Sequence, residues 1–580
     1  MNYLSKSKSL LFFQFAICGF VFCNFAAAQI PKSDGDIINS LVTNINYLAS
    51  DKLEGRLTGS RGEKLAYEFL IDNFQSMNLL PRGENEQYTQ TFSFKKIGYR
   101  MFSFELNNNK INIVHQAIKP NAYYPLSMSG IGKISGKTIW LNYGISASAL
   151  GVNDYAGKRD KDLKGKIFVM RLGYANASNA ESKIAEFATI ERKIDTAIYK
   201  GAKAVIFINQ NKELLEPDFK PLFKPNFKSV PVYLIGSNEK TDTSWFINAK
   251  VNLEIDTITR ELEGHNVIGF INNKMPNTVV IGAHYDHLGY NELGGSTYTK
   301  TQNEKPQIHN GADDNASGTA ALIELSEILA KSHFKNNNYL FIAFSGEEEG
   351  LLGSNYFCKN PTLELSKVNY MINMDMLGRL DTSKNSFAIN GTGTSPVWNK
   401  ILPTISIDNL KVKTSEGGTG ASDHTSFYNV GIPALHFFTG NHYDYHKPSD
   451  DADLINLEGE LSVIKYIFTM IGRLDTIKKI TFSKTAEEHG SGSVRSFKVT
   501  LGIMPDYLFD GKGVKADGVT DGKSASIAGI KRGDIIVKLG SDETNDMQMY
   551  LKALNKHNKG DKTKITILRD GKELEMELKF

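Results

Sequence analysis

The chain contains few cysteines, only three among 580 residues. Two of them, Cys18 and Cys23, lie close to the amino terminus. We predict that this segment is a signal peptide cleaved after Ala28, so that the mature chain keeps Cys358 alone. A single cysteine excludes an internal disulfide framework. The stability of the mature protein is therefore not expected to come from disulfides.

Long hydrophobic runs are also lacking. The apolar run 10–23 follows Lys6 and Lys8 and precedes the small residues Ala26-Ala-Ala28. A membrane-spanning helix needs about 20 apolar residues, whereas a signal peptide has a shorter run behind a basic segment. A membrane anchor is the less favoured alternative. We predict export to the periplasm or the medium, with no membrane span in the mature chain.

The chain has no excess of charge of one sign, because 67 basic and 64 acidic side chains leave a formal net charge of +3. A nucleic-acid-binding protein usually has a clear basic excess, so nucleic acid is not an expected partner. Apolar residues make up 41% and charged residues 23% of the chain, which is typical of folded globular proteins. The length exceeds what one hydrophobic core usually organises, so we expect several domains.

The residue patterns divide the mature chain into a discontinuous main domain and two accessory units. Residues 34–80 show helical periodicity, and strands alternate with helices after residue 264. Together these patterns predict an α/β main domain over residues 29–122 and 256–480, with a mixed, mostly parallel sheet flanked by helices. Short β-rich runs over residues 123–255 indicate an inserted module. The polar stretch 481–493 is typical of a linker, and residues 494–580 have the size of one small domain.

Histidine and carboxylate residues cluster directly after the predicted strands of the main domain. Because ligands of an α/β sheet bind at the carboxyl ends of its strands, we expect these clusters to lie close together. Imidazole nitrogens and carboxylate oxygens suit zinc, and two metal ions about 3.5 to 4 Å apart need a shared carboxylate. Four clusters follow predicted strands, namely Gly282-Ala-His-Tyr-Asp-His-Leu-Gly289, Gly311-Ala-Asp-Asp-Asn-Ala-Ser-Gly318, Phe344-Ser-Gly-Glu-Glu-Glu-Gly350 and Asn373-Met-Asp-Met-Leu-Gly378. A fifth cluster is Tyr445-His-Lys-Pro-Ser-Asp450.

With these clusters the sequence resembles the dizinc peptidase family that includes secreted bacterial leucyl aminopeptidases, glutamate carboxypeptidase and the noncatalytic transferrin receptor. The opening segment Leu48-Ala-Ser-Asp-Lys-Leu-Glu-Gly-Arg56 also carries the likeness. The resemblance implies two zinc ions per chain, Glu347 as the general base and Asp286 as the carboxylate that orients a ligand histidine. The implied metal ligands are His284, Asp314 as the bridging carboxylate, Glu348, Asp375 and His446.

Taken alone, each of these residues has an ordinary structural interpretation. A satisfied buried histidine, a helix-capping aspartate or a solvated run of glutamates is commoner than a metal ligand. The metal interpretation is favoured because all five ligands occur in the family's order at predicted strand ends. We expect no serine triad around Ser422, and we expect Arg379 to form a structural ion pair. The histidines that we expect not to be ligands are His287, His309, His424 and His442.

The resemblance implies an exported metallo-aminopeptidase that removes amino-terminal residues from peptides. Water shared by two zinc ions would attack the scissile carbonyl, and Glu347 would take up the proton and pass it to the leaving amine. The alternatives are a dizinc carboxypeptidase or dipeptidase, a noncatalytic binding protein, and a glutaminyl cyclase on the same scaffold. The intact Glu347 and the full ligand set weigh against a noncatalytic protein.

The two accessory units also resemble known modules. Gly165-Lys-Ile-Phe-Val-Met-Arg171 and Gly201-Ala-Lys-Ala-Val-Ile-Phe207 resemble a protease-associated (PA) domain, which implies a module that covers part of the active cleft. Val499-Thr-Leu-Gly-Ile503 resembles the carboxylate-binding loop of a PDZ domain, and Ser524–Ile536 the segment that follows it. The PDZ resemblance implies that a peptide carboxyl terminus adds as a strand at a sheet edge. The alternatives are a passive packing domain and a stabilising appendage.

Overall fold

The structure is a computed structural model of the chain. It describes residues 30–107, 112–117, 123–175, 184, 187–211, 222–223, 228–237, 241–298, 305–485, 499–505, 509, 511–519, 523–545, 547–554, 556–557 and 560–580. The predicted signal peptide lies outside the described residues. Within these ranges, no helix combines the length and the apolar character that a bilayer crossing requires.

The described residues form both helices and strands along the whole chain. The α-helices are α1 (Asp34–Leu48), α2 (Arg61–Ser76), α3 (Asp160–Leu163), α4 (Ile190–Tyr199), α5 (Gly318–Lys331), α6 (Leu352–Lys359), α7 (Trp398–Ile401), α8 (His424–Asn429), α9 (Leu457–Asp475), α10 (Ser524–Ile527) and α11 (Met547–Leu554). The strands are β1 (Leu80–Pro81), β2 (Thr89–Asn107), β3 (Asn112–Ala117), β4 (Tyr123–Pro125), β5 (Gly132–Trp140), β6 (Ser146–Ala147), β7 (Val152–Asn153), β8 (Ile167–Arg171), β9 (Ala204–Ile208), β10 (Leu222–Phe223), β11 (Val232–Ile235), β12 (Lys250–Ile271), β13 (Thr278–His284), β14 (Asn338–Phe344), β15 (Val368–Met374), β16 (Ser386–Asn390), β17 (Lys411–Ser415), β18 (Ala434–Phe438), β19 (Ile503–Pro505), β20 (Val514–Val519), β21 (Ile535–Leu539), β22 (Asp542–Glu543), β23 (Lys562–Arg569) and β24 (Lys572–Lys579).

A mixed sheet forms the centre of the main domain, with the strand order β17-β16-β18-β15-β13-β14-β12. Strands β14, β13, β15 and β18 are parallel neighbours, whereas β12 and β16 run antiparallel to β14 and β18. Helices α1, α2, α5 and α9 contribute to the core on one face of the sheet, and α6 and α8 pack on the other. The predicted mostly parallel sheet flanked by helices is therefore confirmed.

The strands that lead to the site are buried along their whole length. Every residue of β13, β14 and β15 is buried, as expected for a parallel sheet with helices on both faces. A Cβ placed on Gly282 would lie 2.5 Å from Phe344 Cε2. Glycine at this position therefore allows β13 and β14 to pack closely just before the site.

Two long strands connect the main domain to the inserted module. Strand β2 pairs antiparallel with β12 from Thr89 opposite Val267 to Asn107 opposite Lys250. The first residues of β12, Lys250–Ile255, also pair with β5, which leads into the module's own sheet, ordered β5-β8-β9-β11-β4. The core of the module includes residues of β2, such as Phe102, so the strand pair belongs to both units. We propose the boundaries at residues 123 and 255 for the module's own strands.

The carboxyl-terminal unit has a separate core and a separate antiparallel sheet, ordered β19-β20-β21-β23-β24. Strand β19 lies at the edge of this sheet, and Asn441 Nδ2 of the main domain donates to the Pro505 carbonyl at 3.0 Å. Of the predicted linker, residues 481–485 are described and lie along the main domain, where Ser483 N donates to the Thr394 carbonyl. Residues 486–493 lie outside the described residues.

Candidate metal centre

The candidate ligands come from five chain segments at one edge of the sheet. His284 is the last residue of β13, and Asp375 directly follows β15. Glu348 follows β14, Asp314 precedes α5, and His446 lies between β18 and α9. Because β13, β14 and β15 are parallel neighbours, their carboxyl ends meet at the same edge of the sheet.

The first donor group consists of His284, Asp314 and Asp375. His284 Nε2 lies 3.4 Å from Asp314 Oδ1 and 3.3 Å from Asp375 Oδ1. One donor atom from each residue lies within 4.8 Å of the other two. All three residues are buried, and one imidazole with two carboxylates is a donor set that zinc accepts.

The second donor group consists of Asp314, Glu348 and His446. His446 Nε2 lies 3.0 Å from Asp314 Oδ2 and 3.3 Å from Glu348 Oε1. Asp314 therefore presents Oδ1 to the first group and Oδ2 to the second, so one carboxylate contributes to both groups. The structure brings together all five residues that the sequence predicted as ligands, and the donors fit one zinc ion per group.

His287, which we predicted not to be a ligand, also lies at the second group. Its Nδ1 is 2.8 Å from Glu348 Oε1 and 4.0 Å from Asp314 Oδ2, and it forms a three-donor cluster with these two residues. His446 stays the candidate ligand, because its Nε2 lies close to both carboxylates. The 2.8 Å contact of His287 is an ordinary hydrogen-bond distance, which suits a residue that orients Glu348.

Burial and neighbouring charges set the ionisation of the ligand carboxylates. Burial raises the pKa of Glu348, but His446 and His287 outweigh this effect and lower it to about 2. Burial also raises the pKa of Asp314, yet hydrogen bonds with His284 and His446 hold it well below its usual value. Both carboxylates therefore stay ionised at neutral pH, which is the form that binds metal.

Glu347, the predicted general base, lies beside the two groups and belongs to neither. Its backbone N donates to Asp286 Oδ1 at 3.1 Å. Burial, together with the charges of Glu348 and Asp375, raises the pKa of Glu347 well above its usual value against the opposing effect of His284. A raised pKa suits a carboxylate that must accept a proton and return it near neutral pH.

Asp286 makes different contacts from those expected. The nearest partner of His284 Nδ1 is the Asp286 backbone carbonyl at 3.2 Å, whereas the carboxylate Oδ1 lies 3.8 Å away. The carboxylate instead accepts hydrogen bonds from Glu347 N and from Thr58 Oγ1, the latter at 3.0 Å. Asp286 thus contacts His284 through its backbone carbonyl and holds the backbone of Glu347 through its side chain.

Arg56 supports the site from the opening segment of the chain, although we predicted no role for it from the sequence. It is fully buried, and burial lowers its pKa to about 10. Its guanidinium donates to the carbonyls of Tyr285 at 2.7 Å, Asn310 at 2.7 Å and Gly311 at 3.0 Å, and also to Leu48. Arg56 therefore ties together the backbone segments that carry Asp286 and Asp314. The one feature of the sequence that could have indicated this role is that Arg56 ends the segment Leu48–Arg56, which resembles the family.

Tyr445 is a second residue that the sequence interpretation missed. Its ring stacks on that of His446 with a centroid distance of 3.9 Å. Burial raises the pKa of its hydroxyl well above the usual value, and the charges of Asp314 and Glu348 add to this effect. The hydroxyl therefore remains a hydrogen-bond donor beside the ligand carboxylates. Its position directly before His446 was the available signal.

Other polar residues near the site have structural contacts. Ser422 Oγ donates to Asp375 Oδ2 at 2.7 Å and accepts from Asn373 Nδ2 at 2.7 Å, so it belongs to no Ser-His-Asp arrangement with His424. His424 instead stacks on His436. His309 lies against Ser296, His442 against Asp313, and Arg379 pairs with Asp444.

The sequence matches known families over two stretches. Residues 266–471 match the model described as peptidase family M28, and residues 496–580 match the PDZ domain model. Residues 266–471, which include all five candidate ligands, are therefore similar to peptidase family M28. The carboxyl-terminal unit is a PDZ domain.

Several characterised proteins are similar to this chain. The aminopeptidase YwaD of Bacillus subtilis is 29% identical over 326 residues, which cover 52% of this chain and 65% of YwaD. An aminopeptidase of Pseudomonas aeruginosa is 26% identical over 47% of this chain and 52% of its own length. The chain thus spans between about half and two thirds of these relatives.

Solved structures with a similar fold include a zinc aminopeptidase from Bacillus subtilis, which is 21% identical. The match covers 77% of this chain and 98% of that one, with a TM-score of 0.45. A glutaminyl cyclase from Porphyromonas gingivalis is 18% identical over 37% of this chain and 79% of its own, with a TM-score of 0.31.

Proposed function

We propose that this protein is an exported zinc metallo-aminopeptidase that holds two zinc ions per chain. The observation that carries the proposal is the sharing of Asp314 between two three-donor groups. The aminopeptidases among its sequence relatives support the choice of reaction.

Each donor group would hold one ion. His284, Asp314 and Asp375 would hold the first, and Asp314, Glu348 and His446 the second. When bound, the two ions would polarise the scissile carbonyl and lower the pKa of a water molecule from about 15.7 towards about 7.

The residues beside the donor groups would move the proton and stabilise charge. Glu347 would take the proton from the attacking water and later give it to the departing amine. Asp286 holds the backbone of Glu347 through the 3.1 Å hydrogen bond described above. The Tyr445 hydroxyl would donate to the carbonyl oxygen as negative charge develops on it.

The substrate would be a peptide with a free amino terminus. An α-ammonium group needs carboxylate partners, and the acidic residues around the two groups supply negative charge. A carboxypeptidase or dipeptidase would anchor the other end of the peptide. A noncatalytic protein would not need Glu347, and a glutaminyl cyclase would release no amino acid.

The two accessory units would control how substrates reach the active cleft and would bind peptide carboxyl termini. The inserted module, which we assign as a PA domain, would restrict long substrates at the cleft. The PDZ domain would bind a peptide carboxyl terminus at the edge of β19 by strand addition. Residues 1–28 would direct export and be removed in the process, so the exported protein should begin at Gln29 when its amino terminus is sequenced.

The decisive experiment is hydrolysis of aminoacyl chromogenic substrates by the protein that begins at Gln29. We expect activity on free but not on acetylated amino termini, with about two zinc ions per chain by mass spectrometry. Glu347→Gln should lower turnover by roughly 10² to 10⁴-fold and keep both ions, because Glu347 lies in neither donor group.

Glu364→Gln is the matched control, because Glu364 is a surface residue paired with Lys367. If the protein bound two zinc ions but hydrolysed only peptides with acetylated amino termini, it would instead be a carboxypeptidase. Absence of zinc would contradict the proposed centre.

A further inference from the structure

Asp313, the neighbour of the proposed bridging ligand Asp314, is fully buried. Its Oδ1 accepts hydrogen bonds from Gly378 N at 2.6 Å and from Ser317 Oγ at 3.0 Å. Its Oδ2 lies 3.1 Å from His442 Nε2. Asp313 therefore connects the segment that carries Asp314 to the segments of Gly378 and His442.

His442 belongs to the loop over residues 440–450, which also carries the ligand His446. Its Nδ1 lies 3.9 Å from Asp444 Oδ2, and Asp444 pairs with Arg379 at 3.1 Å. Arg379 directly follows Gly378, whose backbone N–H donates to Asp313. The contacts thus close a ring that runs through Asp313, Gly378–Arg379, Asp444 and His442.

The far end of the same loop is also attached to the bridging segment. Asp450 Oδ2 accepts from Asp313 N at 3.0 Å and from Asp314 N at 3.1 Å. His446 lies between these two attachments and has a positive φ of 56°, a region that non-glycine residues rarely adopt. A backbone held in such a conformation depends on its surroundings for its position.

We propose that His442 is a positioning residue for the second metal ion: through Asp313 it fixes the placement of His446 relative to Asp314. The first ion does not depend on this contact. Asp375 is held by Ser422, and the backbone carbonyl of His284 accepts from Thr319 Oγ1 at 2.7 Å. Loss of a residue that supports a metal ligand typically weakens metal binding by about 10- to 100-fold.

The inference rests on the proposed two-zinc centre, and the test separates the two. Stepwise zinc affinities of the full mature chain would be measured by calorimetry with a competing chelator. His442→Phe removes the nitrogen that faces Asp313, whereas His442→Gln keeps a donor. We expect His442→Phe to weaken only the second zinc step, by about 10- to 100-fold, and His442→Gln to recover most of this loss.

Two further variants keep the test decisive. Arg379→Gln opens the ring at a partly exposed residue, so it should weaken the same step to a smaller extent even where His442→Phe folds poorly. His557→Phe is the matched control, since His557 lies 4.0 Å from Asp561 in the PDZ domain. Equal weakening of both steps, or no weakening in any ring variant, would overturn the inference. Fewer than two zinc ions on the unsubstituted chain would instead refute the proposed function, and the inference with it.

Discussion

The two donor groups share Asp314 but are built in different ways. In the first group, His284 ends β13 and Asp375 directly follows β15, so two neighbouring strands place both ligands. In the second group, Glu348 and His446 lie on loops, and side chains from elsewhere hold them. His287 contacts Glu348 at 2.8 Å, and the ring through His442 holds the loop of His446. The regular backbone of a sheet places the first group, whereas irregular tertiary contacts place the second.

The largest effect is expected at the residue that the two groups share. Asp314→Ala removes one oxygen from each group, so both zinc ions should be lost together. Hydrolysis should fall by at least about 10³-fold, since the water would lose the lowering of its pKa from about 15.7 to about 7. Zinc per chain and kcat/KM check this prediction. Asp72→Ala, an exposed site on α2, is the control, and retention of one tightly bound ion would show that Asp314 does not bridge.

A smaller effect confined to the first group is expected from Ser422→Ala. The Ser422 hydroxyl donates to Asp375 Oδ2 at 2.7 Å, so its removal frees one oxygen of a first-group ligand. The first zinc step should weaken by roughly 10-fold while the second step is unchanged, the opposite of the result expected for His442→Phe. Calorimetric zinc titration of both variants gives the comparison directly. If both variants weakened the same step, the two groups would not be supported independently.

The smallest effect on catalysis is expected from Lys96→Met. Lys96 on β2 pairs with Glu349, the neighbour of Glu348, and both side chains are almost fully buried. Removing one partner of a buried ion pair costs about 3 to 5 kcal/mol of stability, because the Glu349 charge stays buried after the Lys96 charge is gone. Chemical denaturation should therefore show a less stable main domain, with a change in activity well below that of the first two variants.

The double variant Lys96→Met/Glu349→Leu tests the cause of that loss. Replacing both partners by apolar residues should recover most of the stability. A double variant no more stable than Lys96→Met would mean that the ion pair is not the source of the effect.

Much of the centre could be predicted from the chain, because parallel strands and their ends leave a clear pattern. The strands before His284, Glu347 and Asp375 are continuous apolar runs, and a buried parallel sheet requires such runs. The residues that follow them therefore had to meet at one edge. The PDZ domain was also predicted, and the comparison with family models confirms it.

Contacts between distant loops left no such pattern. From the sequence we predicted that none of His287, His309, His424 and His442 is a ligand, and nothing in the sequence distinguished them. In the structure, His287 contacts Glu348 and His442 contacts Asp313. Lys96 and Glu349 are far apart along the chain, and no local periodicity relates them. A side chain's partner across the fold depends on how whole elements pack, which single residues do not reveal.

By itself, the sequence determined the class of fold and the strand-end clusters of histidine and carboxylate residues, because strand periodicity and strand-end chemistry are local properties. The choice of ligands within those clusters came from the resemblance to a family. Only the tertiary structure decided which oxygen of Asp314 faces which group, that the Asp286 carboxylate holds the backbone of Glu347, and that Asp313 joins three loops. These facts depend on distances between segments that are remote in the chain, and folding alone sets those distances.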